Sequence, residues 1–225
     1  MSMAHTLLRH HVVNNIAVSA DGQHMYVSLW LYYPITTVGG WAEIYLGFKW
    51  GTLVHCTKPG TPDYECTLVE DHMAMPNGIT LSADGTLLYV ACMSDVHVYD
   101  VNSGDGTLTF AREVHVANTS TMDNLSLDPV SGDVITASHP KIMKIAAHTK
   151  SAEDLAPTQI IRIFDPALRG EPLSGPASSE EIFHDGDVLP CGTGAVLAYG
   201  RYFIGPLFSK GVLVCPDPSS SADVE

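Results

Sequence analysis

MPNGITLSADGTLLYVA, at Met75–Ala91, has two partial copies in the same chain. One is VVNNIAVSADGQHMYVS at Val12–Ser28 and the other is TMDNLSLDPVSGDVITAS at Thr121–Ser138. Each copy sets two alternating apolar runs on either side of a Gly-containing turn, the signature of a β-hairpin. Aligning Val18, Leu81 and Leu127 also aligns Ile16, Ile79 and Leu125, and it puts Asn14, Asn77 and Asp123 at one register. That register returns after 63 residues (77 − 14) and again after 46 (123 − 77). A strand-built repeat of this length predicts the blades of a β-propeller. Propellers set equivalent residues around one axis, so three oxygen-bearing side chains at one register are expected to converge. Oxygen donors in a ring suit a hard cation such as Ca²⁺. A single Asn or Asp beside a strand more often makes a turn or caps the backbone. Three at one register, with matching neighbours, favour the ring of donors. Ser19-Ala20-Asp21-Gly22 and Ser82-Ala83-Asp84-Gly85 are read as hairpin turns with a structural role.

The rest of the composition narrows the class. The chain has 225 residues, enough for a substantial core, and one domain over residues 1–225 is the simplest count, with tails at about 1–9 and 216–225. Gly and Pro are frequent and long helical periodicity is scarce, so an all-β fold is expected. A net charge of −14, from 25 acidic and 11 basic residues, argues against nucleic acid as a partner. No apolar run is long enough to cross a membrane as a helix, and the opening MSMAHTLLRHH lacks the apolar core of a signal peptide. Cys56 and Cys66 flank the turn-rich TKPGTPDYE and are either a disulfide across a hairpin or two free thiols. Cys92 reads as a buried thiol, and no C-x-x-C supports a zinc site.

Along the chain, one segment changes period. Trp41, Ile44, Tyr45 and Phe48 fall at i, i+3, i+4 and i+7, which predicts a short helix over Trp41–Trp50. It is either packed over the sheet ends or serves as a lid or membrane-surface contact. Strands are expected at Gly51–Cys56 and Cys66–Glu70, three within Asn77–Asp100, one at TLTFAREV, more within Asn124–Ile145, and one at Ile160–Asp165. Asp165–Glu180 reads as a surface loop, and AVLAY, RYFIGPLF and GVLVC give a last set, with the shared register near Thr193. That makes about four blades.

The ordered set NNIAVSADG, WAEIYLGFKW, MPNGITLSADG, MDNLSLDPVSGD, SHPKIMKI and IGPLFSKGVLVC resembles the paraoxonase/arylesterase family over about His11–Cys215. The resemblance implies a six-bladed propeller that hydrolyses esters and lactones with Ca²⁺; members of that family are often secreted or membrane-associated, and the sequence itself does not assign this chain a compartment. It implies that Asn14, Asn77, Asp123 and Asn124 are ligands of the catalytic calcium. Asn15 stands where the family has an Asp for a second, structural calcium. His139 matches a histidine near the active site, whose plain alternative is a strand-end cap. Ser138 replaces a family cysteine, Trp30-Leu31 replaces an Asp-His pair, and Cys215 matches a cysteine bonded to a partner near the family's N-terminus. The matching region implies the C-terminal portion of such a propeller. Gluconolactonase-like and strictosidine synthase-like propellers share only the general blade pattern.

Two function classes follow. The first is a Ca²⁺-dependent hydrolase of small-molecule esters or lactones in which Asp123 binds metal or assists water and His139 shapes the pocket. Four carried-over ligands with one formal charge predict weak Ca²⁺ binding and little or no turnover. The second is a non-catalytic propeller fragment or interaction module, with open sheet edges that promote self-association. No G-x-S-x-G supports a serine nucleophile. Asn118-Thr119-Ser120 and Asn124-Leu125-Ser126 are N-glycosylation sequons, the second expected to be buried.

Overall fold

A computed structural model describes residues 11–58, 64–164 and 178–219. Among these are four antiparallel sheets, each made of strands consecutive in the chain. The first contains β1 (Val12–Val18), β2 (His24–Leu31), β3 (Gly51–Thr57) and β4 (Glu65–Met73). The second contains β5 (Pro76–Leu81), β6 (Leu87–Cys92), β7 (Asp95–Val101) and β8 (Leu108–His115). The third contains β9 (Thr121–Leu127), β10 (Val134–His139), β11 (Thr158–Phe164) and β12 (Ser178–Asp185). The fourth is three-stranded, β13 (Gly192–Ala198), β14 (Arg201–Pro206) and β15 (Leu213–Pro216). Four-stranded meanders of this kind are propeller blades, and the class is all-β as expected. We refer to the sheets as blades 1 to 4.

The chain forms two compact units, Met1–Glu113 and Val114–Glu225. Each has its core between its own blades. In the first, Ala17, Tyr26, Leu53 and Met73 of blade 1 meet Ile79, Leu88, Val90, Cys92 and Tyr99 of blade 2. In the second, Ile135, Ala137 and Ile160 of blade 3 meet Ala195, Leu197, Tyr202 and Ile204 of blade 4. Burying such a side chain contributes about 1.5–3 kcal/mol, so each blade pair is stabilised chiefly by this sheet-on-sheet contact.

The repeated turns are built alike. The Ser19 hydroxyl donates to Asp21 Oδ1 at 2.5 Å, and the same carboxylate accepts from Gln23 N at 3.0 Å. The Ser82 hydroxyl donates to Asp84 Oδ1 at 2.7 Å, which accepts from Thr86 N at 3.0 Å. These bonds hold both carboxyls below their ordinary range, the serine hydroxyl being the largest cause in each. Gly22 and Gly85 follow at φ 69° and 72°, where a side chain is strained.

Four expectations need correction. The first helix, α1 (Val38–Leu46), starts three residues before Trp41 and ends at Leu46, because Gly47 in the left-handed region stops it. Ile44 is buried while Tyr45 is exposed, and Phe48 lies beyond the cap, so the four expected residues do not share one buried face. A second helix, α2 (Ile142–His148), occupies part of the segment read as strand. Its short apolar run, IMKIAAH, cannot be told from strand by periodicity. Blade 3 gains a fourth strand, β12, which overlaps the end of the expected loop; residues 165–177 lie outside the described set. Finally, the chain after Cys215 is packed at first. Asp217 is buried, 4.0 Å from the Arg162 guanidinium.

Candidate active site

The register that the sequence repeats share is a β-bulge in all four first strands. In blade 1, Val13 pairs with Leu29 and Asn15 with Ser28, leaving Asn14 as the extra residue. In blade 2, Pro76 pairs with Cys92 and Ile79 with Val90, so Asn77 and Gly78 oppose one residue. In blade 3, Met122 pairs with Ser138 and Leu125 with Thr136, so Asp123 and Asn124 oppose Ala137. In blade 4, Gly192 pairs with Pro206 and Gly194 with Gly205, leaving Thr193 extra. A bulge re-aims a side chain away from the strict alternation of a strand, and bulges concentrate beside active sites.

Within the first unit, one hydroxyl joins two of the expected residues. Ser28 Oγ donates to the Asn77 carbonyl at 2.6 Å and accepts from Asn15 N at 3.1 Å. Asn15 Oδ1 accepts from Ile16 N at 2.7 Å, so that amide serves the local backbone. Asn14 is exposed. Asn77 is 9% exposed, and its Oδ1 is buried with no protein hydrogen-bond partner. A buried acceptor without a donor costs about 1–3 kcal/mol. Sequence reasoning missed Ser28. Its signal is the small residue that each repeat carries opposite the bulge, Ser28, Ala91 and Ala137.

Within the second unit, His139 Nε2 lies 3.1 Å from Asp123 Oδ2. Both are largely buried, the His139 side chain at 7% exposure and Asp123 at 16%. His139 Nδ1 is buried and without a partner. The proton is therefore assigned to Nε2, donating to the carboxylate. Beside the pair, Ser138 Oγ contacts Thr119 Oγ1. Asn124 turns elsewhere: its Nδ2 donates to the Thr193 carbonyl at 2.9 Å, tying blade 3 to blade 4. Cys191 is buried, and burial, then the Asp123 charge, push its thiol up to about 11, which makes it a poor nucleophile at neutral pH.

Among the described residues, no three His, Cys, Asp or Glu side chains gather as a metal site. The bulge register offers instead amide oxygens and one carboxylate, donors suited to a hard cation. The orphaned Asn77 Oδ1 fits that chemistry.

Beside the first unit's bulge, at the same end of blade 1, lies a cleft of about 420 Å³ lined by His11, Tyr32, Tyr33, Trp50 and Thr52 among others. Its aromatic rings touch edge-on: Tyr32 and Tyr33 are 4.9 Å apart, Tyr33 and Trp50 6.0 Å. Helix α1 is fastened below by Glu43, whose fully buried carboxylate accepts from Tyr32 N at 3.0 Å. Burial raises the Glu43 carboxyl above its ordinary value, against the pull of those N–H bonds.

Away from the bulges, Cys56 and Cys66, paired across β3 and β4, are joined in a disulfide. Cys92 and Cys191 are free and buried, and Cys215 is free and half-buried.

The human serum paraoxonase/arylesterase 1 is 28% identical over 209 residues, covering 91% of this chain and 54% of that protein. The rabbit serum paraoxonase/lactonase 3 is 28% identical over 210 residues, covering 93% and 54%. The chain thus spans about half the length of these curated relatives. A solved luciferin-regenerating enzyme superposes with a TM-score of 0.58 at 13% identity, covering 90% of this chain and 56% of that one. That likeness extends to the fold alone and agrees with the blades. The sequence evidence reaches further, because the model of the family described as arylesterase matches residues 2–216, from before the first bulge to the end of the last strand: the chain belongs to the arylesterase family.

Proposed function

We propose that the chain acts as a Ca²⁺-dependent hydrolase of small-molecule esters or lactones, with slow turnover. The observation that carries this reading is the contact of His139, at the end of β10, with Asp123, which sits in the bulge at the repeated register. The ligand set is carried over from the resemblance: Asn14, Asn77, Asp123 and Asn124 for the catalytic cation, with Asn15 at the position of a second, structural one. Bound Ca²⁺ supplies polarisation of the scissile carbonyl and stabilises the charge that develops on its oxygen. The chain's own residues do the rest. His139 donates from Nε2 to Asp123 Oδ2, which fixes the rotamer of the carboxylate. His139 Nδ1 is sealed from solvent, so His139 acts through Asp123 and is a positioning residue. Asp123 is left to hold the cation or to accept the proton of an attacking water. Asn77 presents an acceptor with no other use. The aromatic cleft offers an apolar surface for a ring or acyl chain. Hydrolysis of phenyl acetate and a simple lactone, followed across a Ca²⁺ titration, tests the reading.

Slow turnover follows from charge. One carboxylate among four carried-over ligands binds Ca²⁺ more weakly than sites built from several acidic ligands. A membrane-surface contact through Trp41–Trp50 is supported by the exposure of Tyr45, Phe48 and Trp50. A second reading, a non-catalytic interaction module that self-associates, is favoured by a specific surface. Val196, Phe203 and Val214 pair across three strands of blade 4, and Val196 and Val214 are exposed. Ile16 and Val18 of blade 1 are exposed as well.

A further inference from the structure

The two N-glycosylation sequons stand in different surroundings. Asn124 is half-buried, and its Nδ2, the atom a glycan would occupy, donates to the Thr193 carbonyl at 2.9 Å. A sugar there removes that bond and wedges β9 from β13. Asn118 is exposed, in the turn that precedes β9, with φ 60°. Its backbone carbonyl accepts from Gln159 Nε2 at 3.3 Å, and Ser120 Oγ donates to the Pro140 carbonyl at 3.0 Å. The turn is therefore fixed through its backbone and its hydroxyl while the asparagine side chain faces outward. A left-handed φ is tolerated by Asn better than by most residues. The Cys56–Cys66 disulfide points the same way, since such bonds persist in the oxidising compartments where N-glycans are attached.

We propose that Asn118 is an N-glycosylation site and that Asn124 is not. In the reaction Asn118 Nδ2 bonds to the anomeric carbon of an oligosaccharide carried on a lipid diphosphate. The bond between that carbon and the diphosphate oxygen breaks, the amide loses one proton, and the lipid diphosphate leaves. No oxidation or reduction occurs. The glycan then stands at the end of blade 3 where β9 begins and β10 ends, the end that carries Asp123 and His139. The proposal is independent of the hydrolase reading.

The test is to produce the full chain in insect or mammalian cells behind a cleavable secretory signal and to measure intact mass and peptide maps before and after peptide N-glycosidase F. The expected result is one glycan, removed by the enzyme and mapped to Asn118. N118Q and S120A each abolish it, and N124Q retains it, with thermal melts confirming that each variant folds. Protein unmodified at Asn118, recovered from cells that glycosylate a control protein, overturns the proposal. A glycan found on Asn124 overturns it equally.

Discussion

His139 reaches Asp123 through a single hydrogen bond of 3.1 Å, and that bond makes separable predictions for the two residues. Asp123→Asn removes the only charge in the donor set and should lower ester hydrolysis by roughly 10²–10⁴-fold. His139→Asn removes only the orientation and should cost about 10–100-fold. Steady-state kinetics at saturating Ca²⁺ distinguish the two; equal losses would mean that His139 touches the reacting atoms itself. Another histidine sets an acid limit on stability. His55 is buried, stacked on Tyr26 at 5.0 Å and 3.1 Å from His24 Nδ1, with Asp105 nearby. Burial, then His24, lower its pKa below the ordinary value, against a smaller opposing pull from Asp105. The unfolded chain takes up the proton near pH 6.5 and the folded chain resists it. Stability is therefore complete above that range and is lost as pH falls through it. Thermal melts from about pH 8 to 5 should show this decline, and His55→Phe should flatten it. At this scale the shared register of Asn14, Asn77 and Asp123 was legible because it repeats. Ser28 and Glu43 were not, because a hydrogen bond between sheets or a buried carboxylate under a helix leaves no periodic trace.

The bulges are the elements that matter most to the site, and sequence alone could align them without showing what they are. An extra residue looks like an ordinary strand residue until its partner strand is known, which is why the register was legible and its geometry was not. The alternating strands of blades 1 and 2 were read closely because their Asp-Gly turns mark the boundaries. Helix α2 and strand β12 were missed, the first because it is too short to show a period, the second because it follows a Pro- and Gly-rich stretch. Two tests belong here. Arg162 on β11 binds Asp128 Oδ2 at 2.6 Å and Asp133 Oδ2 at 3.0 Å. Burial opposes ionisation of Asp128, but the Val130 N–H, the Ser131 hydroxyl and Arg162 outweigh it and hold the carboxyl low. Arg162→Met strands both carboxylates and should destabilise the second unit by about 3–5 kcal/mol in denaturant unfolding. Cys56→Ser with Cys66→Ser opens a link closing a separation of 10 residues and should cost about 2–3 kcal/mol, read by the same method under oxidising conditions.

At the scale of the whole molecule, two compact units each carry a core and an apolar row at the surface. If the row on blade 4 is an interaction surface, size-exclusion chromatography with light scattering should show self-association that Val196→Lys reduces. A monodisperse monomer under all conditions would remove the support for that reading. The family and the blade architecture were both legible in the sequence, because separated motifs recur in one order and each ends in a turn of known chemistry. The central claim is that the repeated bulge register serves Ca²⁺-dependent ester hydrolysis. Its most direct test is a Ca²⁺ titration of phenyl acetate hydrolysis by the unaltered chain and by Asp123→Asn. The expected result is slow hydrolysis that rises with Ca²⁺, stops on chelation and is lost in the variant. Hydrolysis indifferent to Ca²⁺, hydrolysis unchanged by Asp123→Asn, or no turnover at any Ca²⁺ concentration would contradict it.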